Sequence, residues 1–166
     1  MQDTLVVFYS HTGTARRAAQ LLASHRGWAL GEVVDFGRRG TLRCVLDSLL
    51  GRRPRIVYRG PPPADFGTVV LVAPIWLLRL AGPMRSFVAE HRAELHRTAA
   101  ILTLNGSSAG NAFAELARLL GHGLTATAAL TQRAFDDGSA TTQLLAFGTA
   151  LAPPALADAG PHGQAA

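Results

Sequence analysis

Residues 5–23, Leu-Val-Val-Phe-Tyr-Ser-His-Thr-Gly-Thr-Ala-Arg-Arg-Ala-Ala-Gln-Leu-Leu-Ala, hold the transition on which the reading of the whole chain rests. Residues 5–9 form a continuous apolar run of aliphatic, β-branched and aromatic side chains, the pattern of a strand buried on both faces. From Ala15 the period changes. Ala15, Ala18, Ala19 and Leu22 recur at i, i+3, i+4 and i+7, one face of a helix. Between strand and helix lie Ser10, His11, Thr12, Gly13 and Thr14, with three hydroxyls, one glycine and no acid. A hydroxyl-rich turn into a helix N-terminus can wrap a phosphate. First-turn N–H groups have no partner within the helix, the dipole end is positive, and hydroxyls add uncharged donors. An ordinary capped strand-to-helix turn has the same outline, so this loop alone leaves both readings open.

Composition narrows the classes. With 166 residues, 48% of them apolar, the chain can bury one substantial core. No apolar run reaches the ~18 residues of a membrane span, and Met-Gln-Asp-Thr lacks the basic start of a signal peptide. A lone cysteine, Cys44, excludes an internal disulfide, and a reducing cytoplasm is the expected setting. All 16 basic residues are arginine. The lack of lysine excludes Schiff-base chemistry and a Walker-type phosphate loop. The net charge of +5 raises nucleic acid as a partner, but no aromatic interleaving or recognition motif supports it. The six histidines show no metal-ligand spacing, and no paired carboxylates flank a candidate pocket, so neither a metal site nor a catalytic acid/base set is assigned.

Further along, residues 29–34 read as a second strand ending at Asp35. Residues 37–60 carry seven arginines and one acid, around an amphipathic helical centre at Leu42, Val45, Leu46, Leu49 and Leu50. A solvated face is favoured there over a docking patch. Residues 68–73 form another fully apolar strand, which Pro74 should end by removing a donor. Ile75, Trp76, Leu77 and Leu78 follow, with Gly82 and Pro83 as expected N-cap and first residue of a helix that turns Met84, Phe87, Val88 and His91 inward. Trp76 thus lies outside the carboxyl end of a central strand, placed to stack on a planar ligand or to pack on the next helix. Residues 99–104 make the third central strand, followed by Asn105, Gly106, Ser107, Ser108, Ala109 and Gly110. A weaker edge strand (124–130) and a closing helix (139–151) complete one domain over residues 1–151. The Ala/Pro/Gly-rich tail 152–166 is expected to be disordered.

Two motifs in this order carry a resemblance. The first is Val6, Val7, Phe8, Ser10, Gly13, Ala18 or Ala19 and Leu22. The second is the strand followed by Pro74, Ile75 and Trp76, with a proline-started helix containing Phe87. Both resemble the flavodoxin family over roughly residues 5–151. That resemblance implies an α/β fold, a doubly wound three-layer sandwich around a five-stranded parallel sheet of order 2-1-3-4-5, with its ligand at the switch point between the first and third of these strands. It implies FMN as cofactor, with Ser10, His11, Thr12, Gly13, Thr14 and Ala15 around the phosphate. Pro74, Ile75, Trp76, Leu77 and Leu78 would lie against the ring, and Asn105, Gly106, Ser107 and Gly110 at its pyrimidine edge. The implied function is electron transfer, as a carrier docking with a redox protein or as a reductase passing hydride from NAD(P)H to a quinone-like acceptor. The alternative is a non-catalytic module of the same fold that has lost FMN.

The chain departs from the family at two places. Ala15 stands where relatives carry a second hydroxyl, a role left to Thr14. Leu77 and Leu78 stand where relatives carry glycine, at a peptide that flips toward the flavin N5. With side chains present the flip should cost about 1–2 kcal/mol more, so the half-reduced flavin gains little. Arg79 then falls near the ring edge or simply in solvent.

Overall fold

The computed structural model describes residues 3–36, 53–106 and 108–151. The expected helix around residues 42–50 with Cys44, the candidate Ser107 and the tail from residue 152 lie outside them. The elements in order are β1 (Thr4–Tyr9), α1 (Thr14–Arg26), β2 (Ala29–Asp35), β3 (Ile56–Arg59), β4 (Thr68–Trp76), β5 (Arg79–Leu80) and α2 (Gly82–His91). They continue as β6 (Thr98–Leu104), α3 (Gly110–Leu120), β7 (Thr127–Thr131), α4 (Gln132–Asp136) and α5 (Ser139–Leu151).

The sheet runs β3-β2-β1-β4-β6-β7, with β5 joined to β4. Strands β2, β1, β4, β6 and β7 are mutually parallel. Counting these five alone, the order is the expected 2-1-3-4-5. The continuous apolar runs follow from burial on both sheet faces. Leu5, Val7 and Tyr9 of β1 face Met84, Phe87 and Leu116 on one side. Val6 and Phe8 face Ala15, Ala18, Leu22, Leu144 and Phe147 on the other. Helices α2 and α3 thus cover one face, and α1 and α5 the second.

Three features depart from expectation. Strand β3, antiparallel to β2 at the sheet edge, lies within the arginine-rich stretch 37–60, where no strand is expected. Its four residues alternate half-buried and exposed, with Ile56 and Tyr58 inward, a period-2 signal masked by the surrounding arginines. Pro74 does not end β4. The strand runs on to Trp76, because a proline still accepts through its carbonyl, here from the Ala81 N–H at 3.2 Å. Helix α2 is capped by Ala81 rather than Gly82, which shifts Pro83 to its second position. No helix among the described residues is long and apolar enough to cross a membrane.

Tyr58 packs against Phe87 and His91 and donates its hydroxyl to the Pro61 carbonyl at 2.8 Å. Burial, with a smaller push from the Glu94 carboxylate, raises this hydroxyl from 10.0 to about 12. A raised folded-state value means that its contribution to stability is complete below pH 10 and is lost as pH climbs toward 12. Urea midpoints measured across that range should fall, and Tyr58→Phe should flatten the decline.

Candidate functional site

Parallel strands bring their carboxyl ends to one edge of the sheet. Tyr9, Asp35, Trp76 and Leu104 end β1, β2, β4 and β6 there, and Thr131 ends β7. Strand order reverses between β1 and β4, and a crevice opens where adjacent connections leave in opposite directions. Two adjoining cavities lie at this edge, of about 350 Å³ and 450 Å³. Both are lined by Ile75, Trp76, Leu104 and Asn105.

The smaller cavity is polar. Thr12, Thr14, Thr103 and Gln132 complete its wall beside Pro74. Its floor begins at the turn from β1 into α1. Gly13 is the N-cap of α1 at φ 98° and ψ −18°, and no side chain caps the helix. A Cβ at Gly13 would meet nothing within 4 Å, so the glycine is required by its left-handed backbone and not by lack of space. Ser10 shapes the turn, its Oγ accepting the Gly13 N–H at 3.0 Å. No acid occupies the first turn of α1. The helix therefore presents first-turn N–H groups and its positive end without a built-in counter-charge, which favours an anion.

The larger cavity is apolar, with Leu77, Leu78 and Gly106 completing its wall, and Ser108 at its edge. Trp76 is half-buried, with the Tyr9 ring edge-on at 6.0 Å and the His11 ring edge-on at 5.6 Å. Behind it the Tyr9 hydroxyl donates to Asp35 Oδ2 at 2.9 Å. Trp76 thus meets β1 and its loop through ring edges and packs against the core cluster on that face of the sheet.

Leu77 and Leu78 link β4 to β5 with φ of 49° and 63°. Positive φ at both central residues of a two-residue hairpin is the signature of a type I′ turn, a position that favours Asn-Gly. Both leucines thus already occupy the left-handed region. The cost of a peptide flip moves to its destination. Flipping the 77–78 peptide of a type I′ turn produces type II′, which favours glycine at the first central position. Leu77, not Leu78, is the side chain that opposes the flip. Both leucines are exposed, at 59% and 50%, so burial does not offset their strain.

The remaining candidates divide clearly. Ala15 points into the core and can offer a ligand only its backbone N–H. Gly110 opens α3 and lines neither cavity; its N–H meets Ser108 Oγ at 3.4 Å. The Thr14 hydroxyl is not simply available in place of a second helix-end hydroxyl, since it donates to Gln132 Oε1 at 3.1 Å. Gln132 was not anticipated, although its position is legible: it follows the last strand, whose carboxyl end shares the site's edge. Arg79 reaches Glu115 at 3.7 Å. Among the described residues there is no group of His, Cys, Asp or Glu that could hold a metal.

Comparison with known structures gives the fold a name. A flavoprotein from Lactobacillus acidophilus NCFM, solved in complex with FMN, matches with TM-score 0.69 at 17% identity, over 84% of this chain and 99% of that one. A protein of Bacteroides eggerthii DSM 20697 described as a flavoprotein matches with TM-score 0.68 at 22% identity, over 87% and 97%. Oxidised flavodoxin 1 from Bacillus cereus matches with TM-score 0.54 at 14% identity, over 90% and 99%. No protein-family model matches the chain, and no curated protein matches it in sequence. The chain has the flavodoxin fold.

Replacing the strained pair by the residues that the turn favours, Leu77→Asn with Leu78→Gly, should stabilise the protein by about 1–2 kcal/mol. The midpoint of urea unfolding checks this, and the gain would run against the usual direction of a two-residue change.

Proposed function

We propose that the two joined cavities hold FMN and that the chain works in electron transfer. The observation that carries this reading is the division of one cleft into a polar end at a helix N-terminus and an apolar end beside a tryptophan. An aromatic ring system joined through a polyol to a dianion matches both ends and their order. The flavoprotein of the same fold described as a complex with FMN supports the assignment.

The chain's own residues have separable roles in this reading. The turn of Ser10 to Thr14, with the first N–H groups of α1, binds the phosphate by hydrogen bonds and the helix dipole, without a charged side chain. Thr12, Thr103 and Gln132 offer hydroxyl and amide partners to the sugar-alcohol chain. Trp76, Leu77, Leu78 and Leu104 exclude water from one side of the ring, and the backbone around Asn105 and Gly106 reaches its polar edge. The bound flavin would supply the redox chemistry, and the protein its orientation and electronic surroundings. Between the two roles, the exposed leucines at the cleft rim favour a small, uncharged quinone-like acceptor over a strongly charged carrier protein, with NAD(P)H as the reductant.

The reverse reading, a module without cofactor, has one observation in its favour: the Thr14 hydroxyl is already engaged by Gln132. The visible spectrum of the purified protein after FMN addition decides between them. FMN should bind about 100-fold or more tighter than riboflavin, the equivalent of two hydrogen bonds to a charged group. Gly13→Asp, which adds strain and a like charge, should abolish FMN binding. Trp76→Ala should weaken both flavins and remove most of the fluorescence quenching, leaving Trp28 as the internal control at the start of β2. Equal affinity for FMN and riboflavin would contradict the assignment.

A further inference from the structure

The β4/β5 hairpin is too short to hold itself. It has two residue pairs, Ile75 with Leu80 and Trp76 with Arg79, and two-stranded ribbons are marginal even when longer. Its turn places two leucines in left-handed backbone with their side chains largely in solvent. Strain of this kind persists only where the surroundings over-determine it. The anchor must therefore lie at the base of the hairpin.

Among the described residues, Glu115 meets that base, beside the buried Leu80 and the Ala81 N–H that donates to the Pro74 carbonyl. Glu115, in the middle of α3, is only 7% exposed. Its Oε2 accepts the Leu80 backbone N–H at 3.1 Å. Its Oε1 accepts from Arg85 Nη1 of α2 at 3.0 Å, with Arg79 Nη2 at 3.7 Å. The geometry of the hairpin explains the first contact. In an antiparallel ladder, pairs that exchange hydrogen bonds alternate with pairs that do not. The turn-closing pair Trp76–Arg79 is of the bonded kind, so Leu80 directs its N–H away from β4. Glu115 stands where a third strand would offer a carbonyl. A buried carboxylate with two arginines could serve helix packing alone, but that role would not require the Leu80 amide.

We propose that Glu115 is a positioning residue: by holding Leu80 and Arg79 it fixes the strained Leu77–Leu78 turn, and through it sets the place of Trp76. The consequence for ring binding rests on the FMN reading above; the positioning itself does not.

The test uses the full chain with Trp28→Phe, so that Trp76 is the single tryptophan. In ligand-free protein, Glu115→Ala should remove most of the near-ultraviolet circular dichroism of Trp76 and shift its emission to longer wavelength, with far-ultraviolet dichroism retained. Adding Leu77→Asn and Leu78→Gly to Glu115→Ala should restore the Trp76 signal, because the turn then holds its shape without the anchor. Glu115→Gln keeps an acceptor for the Leu80 amide and should preserve the signal while lowering the melting temperature through its lost arginine pairs. It also serves if the alanine variant fails to fold. With flavins, Glu115→Ala should weaken FMN and riboflavin by the same factor, about tenfold, leaving their ratio unchanged. A Trp76 signal unaltered in Glu115→Ala, a signal lost in Glu115→Gln, or no restoration by Asn-Gly in a folded protein would overturn the proposal. If neither flavin binds the unmutated protein, the FMN reading falls and the ligand-free Trp76 signal still decides the role of Glu115.

Discussion

The parallel pairing of β1 with β4 is the constraint from which the candidate site follows. Val6 lies opposite Val70 and Phe8 opposite Val72, so both strands deliver their last residues to the same edge. Strand β2 occupies the other side of β1, and β6 the other side of β4. The connections from the two central strands must therefore diverge, α1 to one face of the sheet and α2 to the other. Nothing in the sheet can fill the space between them. The chain meets this gap with a helix N-terminus on one side and a tryptophan-bearing hairpin on the other.

That placement produces two environments within a few residues of one another. At the α1 end, charge complementarity comes from peptide dipoles and hydroxyls, which bind an anion without the desolvation that a buried arginine would need. The nearby arginines are engaged elsewhere: Arg16 and Arg17, in the first turn of α1, meet Glu32 and the Phe135 ring, and Arg85 and Arg79 converge on Glu115 behind the hairpin. At the other end the wall is built from Trp76, Leu77, Leu78 and Leu104, and the backbone strain of the turn is concentrated there. Strain located at a cleft rim, in residues that gain little from burial, is what a site shaped for a ligand shows more readily than a site shaped for stability.

Much of this was legible in the sequence. The switch of period between Tyr9 and Ala15 located the β1–α1 turn, and the apolar runs identified the central strands, because burial on both faces leaves a signal that does not depend on side-chain detail. Trp76 was placed at the crevice by counting from its strand. What escaped detection depended on long-range partners. Strand β3 reads as loop until β2 is there to pair with it. The left-handed leucines contradict local preference, and only a tertiary anchor permits them. Glu115 interrupts an apolar stripe of Ala112, Leu116 and Leu120, a hint that its carboxylate is buried and paired, yet its partners lie 30 and 35 residues away. Gln132 carries no local signal of its role: it reaches the site only because the last strand runs on to Thr131 and delivers it to the shared edge.

In the proposed complex one ligand occupies both ends of the cleft at once. Backbone amide resonances followed during FMN titration test it most directly. Gly13, Thr14 and Ala15 should shift together with Leu77, Leu78, Asn105 and Gly106, on one binding curve with a single midpoint. Shifts confined to one of these groups, or two curves with separate midpoints, would contradict a single flavin spanning the two cavities.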